Sequence, residues 1–253
     1  MSKVCAVYHL GLIEYQKAWN LQNQLAQQIA AGVQPPTLLL LQHSHVFTFG
    51  RQARDEHLLW NATQLKHAGV DVHWVDRGGD ATYHGPGQLV AYPLLPVGVG
   101  TVDVVKTQTR LPQGDFLAYL RLLEKTIVRS LAQYGVVSGQ REGLTGVWVQ
   151  PDVLSRCVHC PPEQRRSPAK IASVGVKVDA RGVTRHGFSL NVNPDMTYWE
   201  GIIACGLEEQ NAASLAYFFE EPPHMQEVAD TVMQIFGELF GYEMQAAEGV
   251  LQL

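Results

Sequence analysis

Asp76-Arg77-Gly78-Gly79-Asp80-Ala81-Thr82-Tyr83-His84-Gly85-Pro86-Gly87-Gln88-Leu89-Val90-Ala91-Tyr92-Pro93 mixes glycines with hydrogen-bonding side chains just ahead of a short apolar strand. Glycine lets the backbone take positive φ or come very close to a ligand. Pro86, between Gly85 and Gly87, stiffens a turn that would otherwise be loose. Flexible backbone for approach, polar side chains for orientation and a strand for support make up a binding loop. The same run also fits a plain Gly-Pro hairpin with a buried tyrosine. Its surroundings decide between the two.

Residues 70–75 read as a strand into this loop and 89–92 as the strand out of it. Apolar positions 13, 18, 21, 25 and 29 recur at helical spacing, so a helix is predicted over 13–31 with Gly32 as its stop. Two strands, 37–41 and 46–50, follow as a pair joined by Gln42-His43-Ser44-His45. Phe116, Leu120, Leu123, Ile127 and Leu131 share one face of a helix over 116–134, ended by Gly135. A strand at 146–149, a hairpin of 171–178 with 183–192 across Asp179-Ala180-Arg181-Gly182, and a helix at 224–240 complete the pattern. Helices and hairpins in mixed order imply an α+β fold with a mixed, mainly antiparallel sheet. Segments 97–114 and 150–169 break the apolar pattern and read as surface insertions, the second a tolerated excursion just before Lys170.

A chain of 253 residues with 46% hydrophobic and 17% charged composition supports a single domain over 1–253 with a real core rather than disorder. The net charge of −5 argues against nucleic acid and anionic membrane as partners. No apolar stretch approaches the roughly 20 residues of a bilayer span, and the first residues lack a signal-peptide core, so a cytoplasmic setting is expected. There Cys5, Cys157, Cys160 and Cys205 should be thiols. Cys157-Val158-His159-Cys160 lacks a second ligand pair at zinc-site spacing, and no metal is expected. A phosphate loop is missing, Gly187-Phe188-Ser189-Leu190-Asn191 lacks the second glycine of a nucleophile elbow, and Gly98-Val99-Gly100 lacks the third glycine of a dinucleotide fingerprint. No cofactor is expected.

The loop from Arg77 to Gln88 resembles the signature of the lipoyl(octanoyl) transferases, the protein octanoyltransferases of lipoate biosynthesis. Other segments agree in order: Tyr15-Gln16-Lys17-Ala18-Trp19, Gln42-His43 before Val46-Phe47-Thr48-Phe49-Gly50-Arg51, Gly146-Val147-Trp148-Val149, Lys170-Ile171-Ala172-Ser173-Val174-Gly175-Val176, His186-Gly187-Phe188-Ser189-Leu190-Asn191-Val192 and Cys205-Gly206. Many motifs in fixed order carry far more weight than one glycine run. The resemblance implies the biotin/lipoate protein ligase-like fold. It also implies transfer of an octanoyl group from octanoyl-acyl carrier protein to a lysine of a lipoyl domain, on 2-oxoacid dehydrogenase E2 subunits or glycine cleavage H protein. The alternative on the same fold is an ATP-dependent lipoate or biotin protein ligase, and a noncatalytic binder of such domains is a third reading.

By the same resemblance Cys205 is the nucleophile and Lys170 its activator. A thiolate attacks a thioester readily, a free thiol titrates near about 8.5, and a neighbouring ammonium raises its thiolate fraction. Once the sulfur is acylated that attraction is gone, and the lysine is free to exchange a proton with the incoming amine. Arg77, Gly78, Gly79, Asp80, Ala81, Thr82, Tyr83 and His84 are implied to line the acyl site, with Ser173, Val174, Gly175, Gly187, Phe188 and Ser189 as the rest of its wall. Taken alone, Cys205 reads as a buried structural thiol and Lys170 as a surface lysine. His84 and His186 fit either direct chemistry or a core role bonded to backbone, and Arg77 and Tyr83 fit bracing of the loop equally well.

Overall fold

Leu38 to Leu41 is apolar at every position, the pattern of a strand covered on both faces. In the computed structural model, which describes residues 3–97, 116–204 and 211–247, both faces are indeed covered. In chain order the elements are β1 (Lys3–Ile13), α1 (Tyr15–Ala30), β2 (Thr37–His43), β3 (Val46–Phe49), α2 (Ala62–Ala68), β4 (Asp71–Trp74), β5 (Ala81–His84) and β6 (Gln88–Leu94). They continue with α3 (Phe116–Gln133), β7 (Gly139–Arg141), β8 (Leu144–Val149), α4 (Pro151–Leu154), β9 (Ala169–Val178), β10 (Thr184–Asn191), β11 (Asn211–Ala212), α5 (Met225–Phe240) and β12 (Tyr242–Ala246).

A large sheet runs β12-β1-β2-β6-β10-β9-β8-β7, with β11 pairing β9, and a small sheet runs β4-β3-β5. Pairings from β2 through β7 are antiparallel, whereas β12-β1, β1-β2, β11-β9 and β3-β4 are parallel. The period of two along β2 and β6 splits their side chains between two layers. Leu38, Leu40, Leu89 and Ala91 join the main core under α3 and α5, with Leu123, Ile127, Leu131, Val232 and Phe236. Leu39, Leu41, Val90 and Tyr92 face the other way, onto Ala18, Leu21, Leu25 and Ile29 of α1. Phe47, Phe49, Ala81 and Tyr83 form a separate cluster on the small sheet.

Three expectations change. The strands at 37–41 and 46–50 do not pair: β2 lies in the large sheet and β3 in the small one. At the corner between them His43 is fully buried, its Nδ1–H bonded to Ile13 O at 2.9 Å and its Nε2 accepting from Tyr92 Oη at 2.8 Å. Part of the glycine-rich loop is itself a strand, β5. The segment 150–169 lies against the residues around Tyr217: the amides of Val158 and His159 both donate to Tyr217 O, at 2.7 and 3.0 Å. Finally, Cys157 and Cys160, both buried, are joined as a disulfide, their Cα atoms 5.8 Å apart, within the span such a bond bridges. Cys5 remains a thiol, pushed up to about 12 by burial. Most of the other segment, residues 98–114, lies outside the described residues, while Val97 donates to Gly182 O at 2.7 Å. No helix among the described residues is long and apolar enough to cross a membrane.

Leu123 has no exposed surface and sits between α3 and the sheet. Leu123→Ala should lower the unfolding free energy by about 2–5 kcal/mol, the range for leaving a cavity in a packed core. Urea denaturation measures this, and a loss well under that range would mean that the site collapses around the gap.

Candidate active site

The glycine-rich loop leaves the small sheet after β4 and is fixed at three successive residues. Asp76 accepts from His186 Nε2 at 2.8 Å, and from Lys177 Nζ and Arg185 Nη2 at 2.6 Å each. The His186 hydrogen bond, then those of Lys177 and Arg185, hold the Asp76 carboxyl far below the usual carboxylate range against its partial desolvation. Arg77, buried, donates through Nη2 to Thr48 O at 2.6 Å and Thr48 Oγ1 at 2.9 Å. The Gly78 amide donates to Val176 O at 3.0 Å. The loop is thereby clamped against β9 and β10, and a cavity of about 240 Å³ opens between the two sheets.

Arg77, Gly79, Asp80, Ala81, Thr82 and His84 line one side of this cavity. Ser173, Val174 and Gly175 on β9 and Gly187, Phe188 and Ser189 on β10 line another, with Lys170 at the start of β9. Gly78 and Tyr83 are not on the wall. Gly78 acts through its amide, and Tyr83 is fully buried in the small sheet, its hydroxyl 2.9 Å from His45 Nδ1. Cys205 and Gly206 lie outside the described residues. On one side of them Ala204 packs against the small-sheet cluster. On the other, Asn211 and Ala212 pair with Ala169 and Lys170, and the Ala213 amide donates to Lys170 O at 2.9 Å.

Lys170 is only 6% exposed, which is unusual for lysine. Its Nζ lies 5.4 Å from the centre of the Trp148 ring, and the Arg141 guanidinium lies 4.9 Å from the same ring. The space for its stem comes from Gly146, at φ +118°, where an added Cβ would stand 2.6 Å from Lys170 Cε and 2.6 Å from Ala172 O. Glu124, buried on α3, holds that glycine: its Oε1 accepts the Gly146 amide at 2.8 Å, while Oε2 accepts Arg121 Nη1 at 2.7 Å.

Across the cavity, Asn191 Nδ2 donates to Ala213 O at 2.9 Å, and Gln88 Nε2 donates to Asn191 Oδ1 at 2.8 Å. Gln88 Oε1 is then an acceptor, and His84 Nδ1–H donates to it at 2.7 Å. Burial, then repulsion from His43, keeps His84 neutral, far below its ordinary value. Burial also lowers His186, overriding its bond to Asp76, and lowers His43 to about 4. The cavity therefore offers one buried lysine, neutral histidine and a wall of backbone and hydroxyl groups. Trp148, Tyr15, Gln52 and Tyr92 also line it and were not singled out by the sequence as wall residues. Trp148 carried a signal all the same, in the motif Gly146-Val147-Trp148-Val149.

The model of the lipoyl protein ligase A/B catalytic domain matches residues 14–237. A curated octanoyltransferase of Chloroflexus aurantiacus is 39% identical over 241 residues, covering 95% of this chain and 96% of that protein. One of Chloroflexus aggregans is 40% identical over 238 residues, covering 94% and 96%. Among solved structures, a bipartite lipoate protein ligase of Thermoplasma acidophilum, described with its E2 lipoyl domain, superposes with a TM-score of 0.64 at 16% identity, over 98% of this chain and 87% of that one. A lipoate-protein ligase A bound with ATP gives 0.64 at 15% identity, over 98% and 89%. At that identity the likeness is one of fold.

Two stability measurements test this geometry. Glu124→Ala leaves the buried Gly146 amide without an acceptor and should cost about 1–3 kcal/mol by urea denaturation. Glu124→Gln, which keeps an acceptor, should recover much of it. Equal losses would show that the hydrogen bond to Gly146 is not what Glu124 contributes. Second, His43, His84 and His186 bind protons below about pH 6.5 when unfolded but stay neutral in the fold. Stability should therefore fall as pH drops below that value, by up to about 1.4 kcal/mol per pH unit for each histidine. The His43 share is lost progressively down to about pH 4. A flat profile over that window would contradict the buried neutral state.

Proposed function

The chain belongs to the lipoyl protein ligase A/B catalytic-domain family, with octanoyltransferases as its relatives, and from that premise we propose a two-step transfer of an octanoyl group through Cys205. The enzyme is an acyltransferase. The donor in this reading is octanoyl-acyl carrier protein and the acceptor a lysine on a lipoyl domain, in a cytoplasmic setting. What carries the reading is Lys170: an almost wholly buried lysine on the wall of the cavity between the sheets, directly opposite Ala212, seven residues after Cys205.

In the first step the Cys205 thiolate, paired with the Lys170 ammonium, attacks the thioester carbonyl of the donor. The tetrahedral intermediate collapses with loss of the carrier's thiolate, which takes a proton from Lys170 and leaves as a thiol. A Cys205 thioester and a neutral Lys170 remain. In the second step the acceptor amine attacks that thioester, Lys170 takes the amine proton, and the Cys205 thiolate departs. The ion pair is restored, and a thioester has become an amide. A cavity of about 240 Å³ between apolar and hydroxyl-bearing walls suits a medium-length acyl chain with a single carbonyl to orient.

Incubation with octanoyl-carrier protein should add one octanoyl group to the protein by intact mass, labile to hydroxylamine, and an added lipoyl domain should then acquire it without ATP. Cys205→Ala should abolish the adduct and lower transfer by at least about a thousandfold. ATP-dependent acylation that survives in Cys205→Ala would instead assign the chain to the ligase reaction.

A further inference from the structure

At the rim of the cavity, Arg141 ends β7 opposite Leu144, its Cα partner across the hairpin, and Leu144 lines the cavity. The guanidinium lies on Trp148, and among the described residues it makes no ion pair or hydrogen bond. By contrast, Arg185 and Lys177 beside the cavity are paired with Asp76, and Arg121 with Glu124. A half-buried guanidinium held over an aromatic ring, with no hydrogen-bond acceptor among the described residues, is available to a planar anion.

We propose that Arg141 is a docking contact for the protein acceptor, and that it recognises a carboxylate on a residue close in sequence to the acceptor's target lysine. This rests on the transfer reading above and adds a specificity determinant to it. Distance selects the occupant. Arg141 and Lys170 stand against the same indole, so their charges are within about 10 Å of each other. An acceptor lysine reaching the cavity brings its neighbours in sequence within that range, since consecutive Cα atoms are about 3.8 Å apart. The phosphate of a carrier's pantetheine arm is separated from its thioester by a long chain with two amides, and when extended would lie well beyond Arg141. Net charge does not choose between donor and acceptor, but at −5 the molecule as a whole repels any acidic partner, so attraction has to come from local cations.

The test compares wild type with Arg141→Met, which keeps the packing on Trp148 without the charge, and with Arg141→Glu. Three readouts are taken: acylation of the protein by octanoyl-carrier protein, transfer to a lipoyl domain, and direct titration of that domain against the unacylated protein. Arg141→Met should weaken domain binding and raise its KM about tenfold, and Arg141→Glu about a hundredfold, with the effect shrinking at high salt and the acylation rate unchanged. Replacing the carboxylates beside the target lysine by amides should cost wild type the same factor and Arg141→Met nothing further. Unchanged binding, additive losses, or a loss confined to the acylation step would each overturn the proposal, the last by placing Arg141 on the donor. Because the titration needs no chemistry, the contact stands or falls separately from the cysteine mechanism.

Discussion

Asp76 accepts from His186, Lys177 and Arg185, and so joins the end of the small sheet to the middle of the large one. The cavity has one wall on each sheet, so its width is set by whatever holds the sheets together. A carboxylate serves because it accepts several donors at once, and here three side chains from β9 and β10 converge on two oxygens. The next residue works in the other direction: Arg77 reaches back to Thr48 on β3. Two successive side chains thus bind opposite sheets, and the following amide, Gly78, adds a bond to β9. Without Asp76, Arg185 and Lys177 would be like charges side by side with no anion between them. The arrangement is geometric before it is energetic, because the Asp76 carboxylate is a third exposed and its attraction is screened by solvent.

A buried lysine needs both room and compensation. Gly146 supplies the room, and its unusual φ is tolerated because only glycine adopts it without strain. Compensation comes in part from the face of the Trp148 ring, whose negative quadrupole attracts a cation in a dry setting. Behind the glycine, Glu124 keeps its backbone fixed, and Arg121 at the surface partners the other carboxylate oxygen. Helix α3 therefore reaches the site through one hydrogen bond, from the Gly146 amide to Glu124, although none of its residues lines the cavity.

The three long helices were legible because α1, α3 and α5 each present one apolar stripe to a sheet, and the spacing of that stripe is local information. The β9-β10 hairpin was legible for the same reason, its turn residues lying between two apolar runs. β1 was not: it pairs with β2 and β12, and the second partner is more than two hundred residues away. β5 was hidden because its four residues sit in a glycine-rich run that reads as loop, and only pairing with β3 makes them a strand. The separation of β2 from β3 depends on His43 turning the chain between sheets, a contact with Ile13 and Tyr92 that no local pattern announces. The wall residues from Arg77 to His84 and from Ser173 to Ser189 were named through family motifs, not through periodicity. Glu124, Asp76 and Arg141 belong to no such motif reading. Their roles exist only once distant strands and helices are side by side.

One chain of dipoles shows how far such long-range constraint extends. A backbone carbonyl accepts and never donates, so Ala213 O fixes which end of the Asn191 amide faces it. That leaves Asn191 Oδ1 to accept from Gln88 Nε2, and leaves Gln88 Oε1 to accept from His84 Nδ1–H. The Gln88 amide is fixed a second time by Tyr83 O, which takes its other N–H at 3.1 Å. With Nδ1 protonated and the ring held neutral by burial, His84 Nε2 carries a lone pair. His84 is therefore a hydrogen-bond acceptor and is poorly suited to stabilising an oxyanion, a task that needs donors. It is suited to receiving an N–H, whether from an amide of a bound arm or from an approaching amine. The residue that begins this sequence, just after β11, also bonds through its own amide to Lys170 O, so it holds the backbone of the lysine on one wall and sets the histidine tautomer on the other.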